Sequence, residues 1–354
     1  MGMLRHLLSL FLALFLLSSF VLSVSAQTRS DQDDDVIRVE TDLTNLFFTA
    51  TNKQKAFITT LREEDLRMTE DGVPQKIVTF QRETDRPLSI AFLIDVSASE
   101  ERTLPQEKAA ARAFIETIFQ SKRDQAAIVP FTGPAFLEQG LTRDVFSIYR
   151  ALERVEIANP AYLGSGRPIG GIATGPGLGV PREGWTAIWD AIAVTAGEVL
   201  AHDQLQKGQD KTPIQRRRAI ILFTDGLDSD SRLSRSEAIK RALAAETVIY
   251  AIGIGDNKYQ GVDRGEVNAV AAGTGGRAFF PKDEADLRKA FAEIEQELRT
   301  QYLIAYSPTN KNRDGAYRQM RIEITNPALQ KEQLKLRHRP GYFAKSPTSQ
   351  NRER

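Results

Sequence analysis

The stretch Leu88-Ser89-Ile90-Ala91-Phe92-Leu93-Ile94, followed at once by Asp95-Val96-Ser97-Ala98-Ser99, decides how the rest of the chain reads. A nearly unbroken apolar run that stops at a polar turn suits a strand covered on both faces, as in a parallel sheet. Comparable runs recur at 126–131, 218–223, 247–252 and 277–280. Helical stripes lie between them: Ile188, Ala191, Ile192, Thr195, Ala196 and Val199 form one, and Leu287, Phe291, Ile294 and Leu298 another. This alternation predicts an α/β domain over 86–299 with a doubly wound, mostly parallel sheet. Pro130 is an irregularity within its run, better tolerated near a strand end than in mid-ladder.

The rhythm changes on both sides of that core. Strand-like runs at 46–51, 66–69 and 77–80 precede it, with Asp71-Gly72-Val73-Pro74 as a turn between the last two. Runs at 303–306, 320–324 and 334–336 follow it, with Asp314-Gly315 as a hairpin-type turn. Neither flank has enough strands for a comfortable sheet of its own. The expectation is that 37–85 and 300–344 pair into one β-sandwich-like domain into which the α/β domain is inserted; two separate β appendages are the alternative.

The ends read differently again. Arg5 and His6 precede an apolar run from Leu7 to Leu22 and then Val24-Ser25-Ala26, the pattern of a cleaved export signal over 1–26, short for a membrane span, with an uncleaved anchor as the alternative. Residues 27–36 read as a flexible lead-in and 345–354 as a disordered tail. An exported, periplasmic or extracellular chain with no span beyond the signal segment follows. There are no cysteines, so disulfides, thiol catalysis and thiolate metal sites drop out together. The formal net charge of +1 gives no electrostatic footprint for nucleic acid. The stretch 159–184, rich in Gly and Pro, reads as one long loop, functional or mobile.

Function-bearing residues gather where strands are expected to end. In an open parallel sheet, ligands bind at the carboxyl ends of strands where the strand order reverses. Asp95, Ser97 and Ser99 place one carboxylate and two hydroxyls there, each two residues apart. Asp225 follows the run 218–223, and Thr186 opens the helix running from Ala187. Singly, each has an ordinary explanation as a turn or helix-cap residue. Together they form an all-oxygen donor set suited to a hard cation, Mg²⁺ foremost, with Mn²⁺ or Ca²⁺ also compatible.

The segments Asp95-Val-Ser97-Ala-Ser99, Trp185-Thr186-Ala187-Ile188-Trp189-Asp190 and Leu222-Phe223-Thr224-Asp225-Gly226 resemble the metal-ion-dependent adhesion site of von Willebrand factor type A domains. The resemblance covers about 88–298. It implies that Ser97, Ser99 and Thr186 supply hydroxyl ligands and that Asp95 and Asp225 bind directly or through water. Two flank motifs, Thr69-Glu70-Asp71-Gly72-Val73-Pro74-Gln75 and Arg337-His338-Arg339-Pro340-Gly341-Tyr342, resemble a VWFA-related group typical of acidobacteria. Two departures stand out. Trp185 replaces the usual Gly before the Thr, making that loop bulkier, and Glu100-Glu101 follow Ser99 where a Met or small residue is common; the favoured expectation is that both glutamates point to solvent, the alternative that they sit near the metal and weaken capture of an acidic partner.

With two formal negative charges, such a site leaves a dication wanting another anionic oxygen, and the family implies capture of an Asp or Glu carboxylate of a protein partner. A purely structural cation, with the β-domain doing the binding, is the alternative. Catalysis is disfavoured, because His202 and His338 stand far along the chain from the loop and no Gly-x-Ser-x-Gly or His-Glu-x-x-His motif occurs. The expected role is binding, not enzymatic turnover.

Overall fold

The computed structural model describes residues 43–83, 86–119, 123–158, 166–170, 186–201, 216–254 and 261–346. The expected signal segment and lead-in, the terminal tail from 347, Trp185, His202 and most of the Gly-rich stretch lie outside the described residues.

The N-terminal flank supplies β1 (Thr44–Thr51), β2 (Leu66–Glu70), β3 (Val73–Pro74) and β4 (Ile77–Glu83). The α/β region runs β5 (Leu88–Asp95), α1 (Leu104–Ile118), β6 (Gln125–Phe131), β7 (Ala135–Leu137), β8 (Gln139–Thr142), α2 (Val145–Arg154) and β9 (Arg167–Ile169). It continues with α3 (Ile188–Val194), β10 (Arg217–Thr224), α4 (Arg235–Ala244), β11 (Thr247–Gly253), α5 (Arg264–Gly273), β12 (Ala278–Phe279) and α6 (Glu284–Arg299). The C-terminal flank adds β13 (Gln301–Tyr306), β14 (Tyr317–Ile324), α7 (Pro327–Lys331), β15 (Lys335–His338) and β16 (Gly341–Phe343).

The central sheet has the order β12-β11-β10-β5-β6-β7-β9, with β8 also pairing β6. The strands from β12 to β6 are parallel; β7, β8 and β9 join antiparallel, short pieces that the apolar runs do not announce. Every residue of β5, β6 and β10 is buried, as both-face coverage requires. Alternate residues of β5 serve different cores. Ile90, Phe92 and Ile94 meet Phe114 and Ile115 of α1 and Phe291 of α6, while Ala91 and Leu93 face the cluster that holds Ile188 and Ile192 of α3 and Val267 of α5. The apolar stripe predicted for 188–199 continues past α3 as a π-helical turn, Thr195–Leu200. Pro130 sits one residue before the end of β6, beyond Ile128, the last β6 residue to pair with β8, so it interrupts little of the ladder.

The flanks interleave. One four-stranded sheet has the order β15-β1-β13-β4 and the other β16-β14-β2-β3, so each mixes strands from both ends of the chain. Leu46, Phe48, Tyr302, Ile304 and Tyr306 from the first share one core with Leu66, Met68, Met320 and Ile322 from the second. The Tyr302 ring stacks on Phe48 at 5.0 Å and on Phe80 at 5.4 Å between centroids. The run expected at 334–336 is shifted to β15, where it pairs with β1.

A buried ion pair locks the two flanks together. Glu70 and Arg318 are each 2% exposed and 3.4 Å apart. Tyr306 and Tyr342 donate to Glu70 Oε2 at 2.6 and 3.0 Å, and Arg318 donates to the carbonyls of Asn310 and Asn312 at 2.6 and 2.7 Å. Removing Glu70 leaves the buried Arg318 only the half-exposed Asp314 at 3.6 Å as a counter-charge, at a cost toward the low end of the about 3–5 kcal/mol of a broken buried pair. Glu70→Ala is therefore expected to lower the unfolding free energy by about that amount, read from the urea midpoint of the full chain.

Candidate metal centre

The chain runs from β5 to β6 on one side of the sheet and later enters β10 on the other side of β5, so the strand order reverses between β5 and β10. Their carboxyl ends carry Asp95 and Asp225. Asp95 is fully buried. Its Oδ1 accepts the Ser97 N–H at 3.0 Å, and its Oδ2 accepts the Thr224 hydroxyl at 2.9 Å. The same Thr224 oxygen accepts the Gly226 N–H at 3.1 Å, so one side chain ties the two loops together. Gly226 has φ +84°, and a Cβ there would lie 2.6 Å from a Val267 methyl, which explains why glycine follows Asp225.

The two serine hydroxyls meet. Ser97 Oγ lies 3.0 Å from Ser99 Oγ, and the Ser99 hydroxyl also hydrogen-bonds the Asp225 carboxylate. Ser97 is buried, whereas Ser99 is exposed, so the cluster opens to solvent on that side. Thr186 is held beside the loop after β10: its N–H donates to Ser229 Oγ at 2.8 Å, and its carbonyl accepts the Ser229 and Asp230 N–H groups. Asp228 steadies the start of α3 by accepting the Ile188 N–H at 2.8 Å and the Ser231 hydroxyl at 2.6 Å.

Glu100 corrects the expectation from the sequence. Glu101 is exposed, but Glu100 is fully buried and turned inward. One carboxylate oxygen each from Asp95, Glu100 and Asp225 lie within 4.8 Å of one another. The residues 98–100 form a 3-10 turn, and that turn swings the side chain beneath the loop instead of outward. There it accepts the Thr103 hydroxyl and meets Glu107, fully buried on the inner face of α1. Glu107 was the readable signal: it falls between Leu104 and Ala110, Ala111 and Phe114 on a stripe that otherwise carries only apolar residues.

Four carboxyl groups thus crowd a site in which, among the described residues, no lysine or arginine is their ion-pair partner. Burial pushes Asp95 up to about 8, reinforced by the nearby charge of Glu100. Burial likewise pushes Glu100 up to about 7, raises Glu107 well above the carboxylate range with Glu100 adding to it, and raises Asp225. Glu100 Oε1 and both Glu107 oxygens are buried without a hydrogen-bond donor. Protons or a cation must neutralise such a cluster. With oxygen donors only, and serine hydroxyls beside the carboxylates, the residues fit a hard divalent cation. The one histidine among the described residues, His338, lies in β15 with Nδ1 against the Arg339 carbonyl at 2.7 Å, in the sandwich and not at this edge.

Two family models, each for a von Willebrand factor type A domain, match the chain, one over residues 90–170 and one over residues 181–293. Among solved structures, the chain is similar to the conserved hypothetical protein BatB from Bacteroides thetaiotaomicron, at 17% identity over 59% of this chain and 98% of that one, TM-score 0.41. It is also similar to a von Willebrand factor type A protein from Catenulispora acidiphila, at 12% identity over 82% of this chain and 76% of that one, TM-score 0.45. A third is proximal thread matrix protein 1 from the mussel byssus with a zinc-occupied MIDAS motif, at 19% identity over 63% of this chain and 49% of that one, TM-score 0.45. No curated protein matches.

Unfolded carboxylates titrate near 4, so between about pH 4 and 8 the metal-free native state holds more protons than the unfolded one. Its stability therefore falls as pH rises through the folded values near 7 and 8. The melting temperature of chelator-treated protein is expected to drop between pH 6 and 8.5, and saturating Mg²⁺ to remove that drop.

Proposed function

We propose that this chain, which belongs to the von Willebrand factor type A family, is an exported binding protein that captures an Asp or Glu carboxylate of a protein partner through a divalent cation. Mg²⁺ suits the donor set best, with Mn²⁺ or Ca²⁺ as substitutes. Ser97, Ser99 and Thr186 are assigned as hydroxyl ligands, and Asp95 and Asp225 as direct or water-mediated carboxylate ligands. The observation that carries the reading is the cluster of Asp95, Glu100 and Asp225 oxygens at the switch point, buried and without a basic partner among the described residues, next to the exposed Ser99 hydroxyl. A bound dication supplies the positive charge that an incoming carboxylate seeks. The residues around it orient it: Thr224 fixes the Asp95 carboxylate, and the Ser97 N–H restrains the other oxygen of the same group.

The role is binding without turnover. A general base needs to reach the reacting proton, and Asp95, Glu100 and Asp225, whose oxygens gather beside the serine hydroxyls, are already engaged in the cluster. Glu100 favours a second reading. A third buried carboxylate lowers the net positive charge left for a partner, which suits a structural cation with recognition by the sandwich instead.

The two readings separate by experiment. Under the capture reading, Ser97→Ala and Asp225→Ala each weaken Mg²⁺ binding about a hundredfold or more, and Thr224→Ala, which acts through Asp95, about 10–100-fold, measured by calorimetry. Partner retention from an exported protein fraction disappears in the first two variants and in wild type treated with EDTA. Retention that survives Asp225→Ala while chelation lowers the melting temperature sharply sinks the capture reading and leaves the structural one.

A further inference from the structure

At the other end of the central sheet from Asp95, the first residues of β10 and β11 face the sandwich across a cavity of about 80 Å³. Eight residues of β10 separate the two ends, roughly 25 Å at strand spacing, so this place is independent of the metal centre. Among the described residues, six arginines line it, Arg86, Arg216, Arg217, Arg218, Arg337 and Arg339, with two carboxylates, Glu246 and Glu297.

Three of these guanidiniums, those of Arg217, Arg337 and Arg339, spend donors on backbone carbonyls. Arg217 donates to the carbonyls of Leu298 and Glu297, Arg337 to that of Gly276 at 3.2 Å, and Arg339 to that of Asn45 at 2.7 Å. A carbonyl satisfies an N–H but does not neutralise a cation. Glu297 is shared: it pairs with Arg277 at 3.2 Å and reaches Arg337 only at 4.0 Å. Burial pushes Arg217 down to about 10 and lowers Arg339 as well, while Tyr250 and Glu297 oppose the shift at Arg217 and Glu246 opposes it at Arg339. Two acceptors on the same wall, Glu297 Oε2 and Gln301 Oε1, are buried without a donor. A ligand that meets both needs carries anionic oxygens and also an O–H. The space is several times the about 10–15 Å³ that one water requires. Arg339 also lines a neighbouring cavity of about 230 Å³ and Arg337 one of about 560 Å³, which gives a larger anion two ways to approach.

We infer that this cavity binds a tetrahedral oxyanion of the phosphate class, held by Arg217, Arg337 and Arg339, with its hydroxyl directed toward Glu297 and Gln301. The anion stitches the α/β region to the sandwich, since Arg217 belongs to β10 and Arg337 to β15 while Arg339 follows it. The phosphate is either free or borne on a longer polyanion.

The test titrates the full chain with inorganic phosphate, sulfate and linear polyphosphate at constant ionic strength, by calorimetry and thermal shift. Inorganic phosphate is expected to bind saturably and more tightly than sulfate, which lacks the hydroxyl, and to raise the melting temperature by roughly 5 °C at a hundredfold excess over Kd. R337Q and R339Q each weaken it at least about tenfold, the loss of one charge-assisted hydrogen bond. Glu246 is exposed and an anion, so E246Q keeps the fold and tightens phosphate binding. Polyphosphate binding with the same dependence on Arg339 identifies the polymer as the source. No saturable phosphate binding, polyphosphate binding without inorganic phosphate binding, or an E246Q affinity equal to or below wild type overturns the assignment.

Discussion

The Thr224 hydroxyl holds the functional edge of this protein together. It donates to Asp95 on one strand and accepts from Gly226 beyond its own, so the ends of β5 and β10 cannot drift apart without losing both bonds. Everything else at that edge hangs on the distance between those two strands. Asp95 and Asp225 approach because their strands are neighbours, and the strands are neighbours because their apolar residues have cores on both faces to fill. Burial that stabilises the sheet is therefore the same burial that raises its carboxylates and makes them depend on a counter-charge.

The sandwich obeys a different constraint. β1 lies between β13 and β15, and β2 pairs β14, so neither flank has its own sheet to fold into before the other arrives. The α/β region is bounded by the strand pair β4 and β13, which brings residues 83 and 301 into register and closes the insertion at its base. The buried Glu70–Arg318 pair, with two tyrosines satisfying the carboxylate, adds specificity to that long-range closure, since each member is useless without a residue about 250 positions away.

Part of the site was legible in the residues alone. Asp95, Ser97, Ser99 and Asp225 come together as strand-end spacing predicts, and Thr186 is anchored beside the loop after Asp225. Glu100 was not legible, because an i, i+1 pair of glutamates after a turn looks the same in sequence whether one or both face water. The 3-10 turn at 98–100 and the inner face of α1 decided it. The short antiparallel strands β7, β8 and β9 escaped for a related reason: they owe their pairing to an open sheet edge and not to any periodicity of their own.

A net charge of +1 shows how far the linear record reaches. Counted along the chain, basic and acidic residues nearly cancel; folded, six arginines from widely separated segments line one small cavity. The sequence by itself determined the order of α and β elements, the two-sided burial of the central strands and the oxygen donors at their ends, because those depend on local alternation and on what directly follows a strand. That the flanks pair followed from too few strands on either side; only the tertiary structure decided the strand order in which they interleave, that Glu100 turns inward toward Glu107, and that arginines gather at the waist. Those outcomes depend on which distant surfaces meet, and no local pattern of polarity records that.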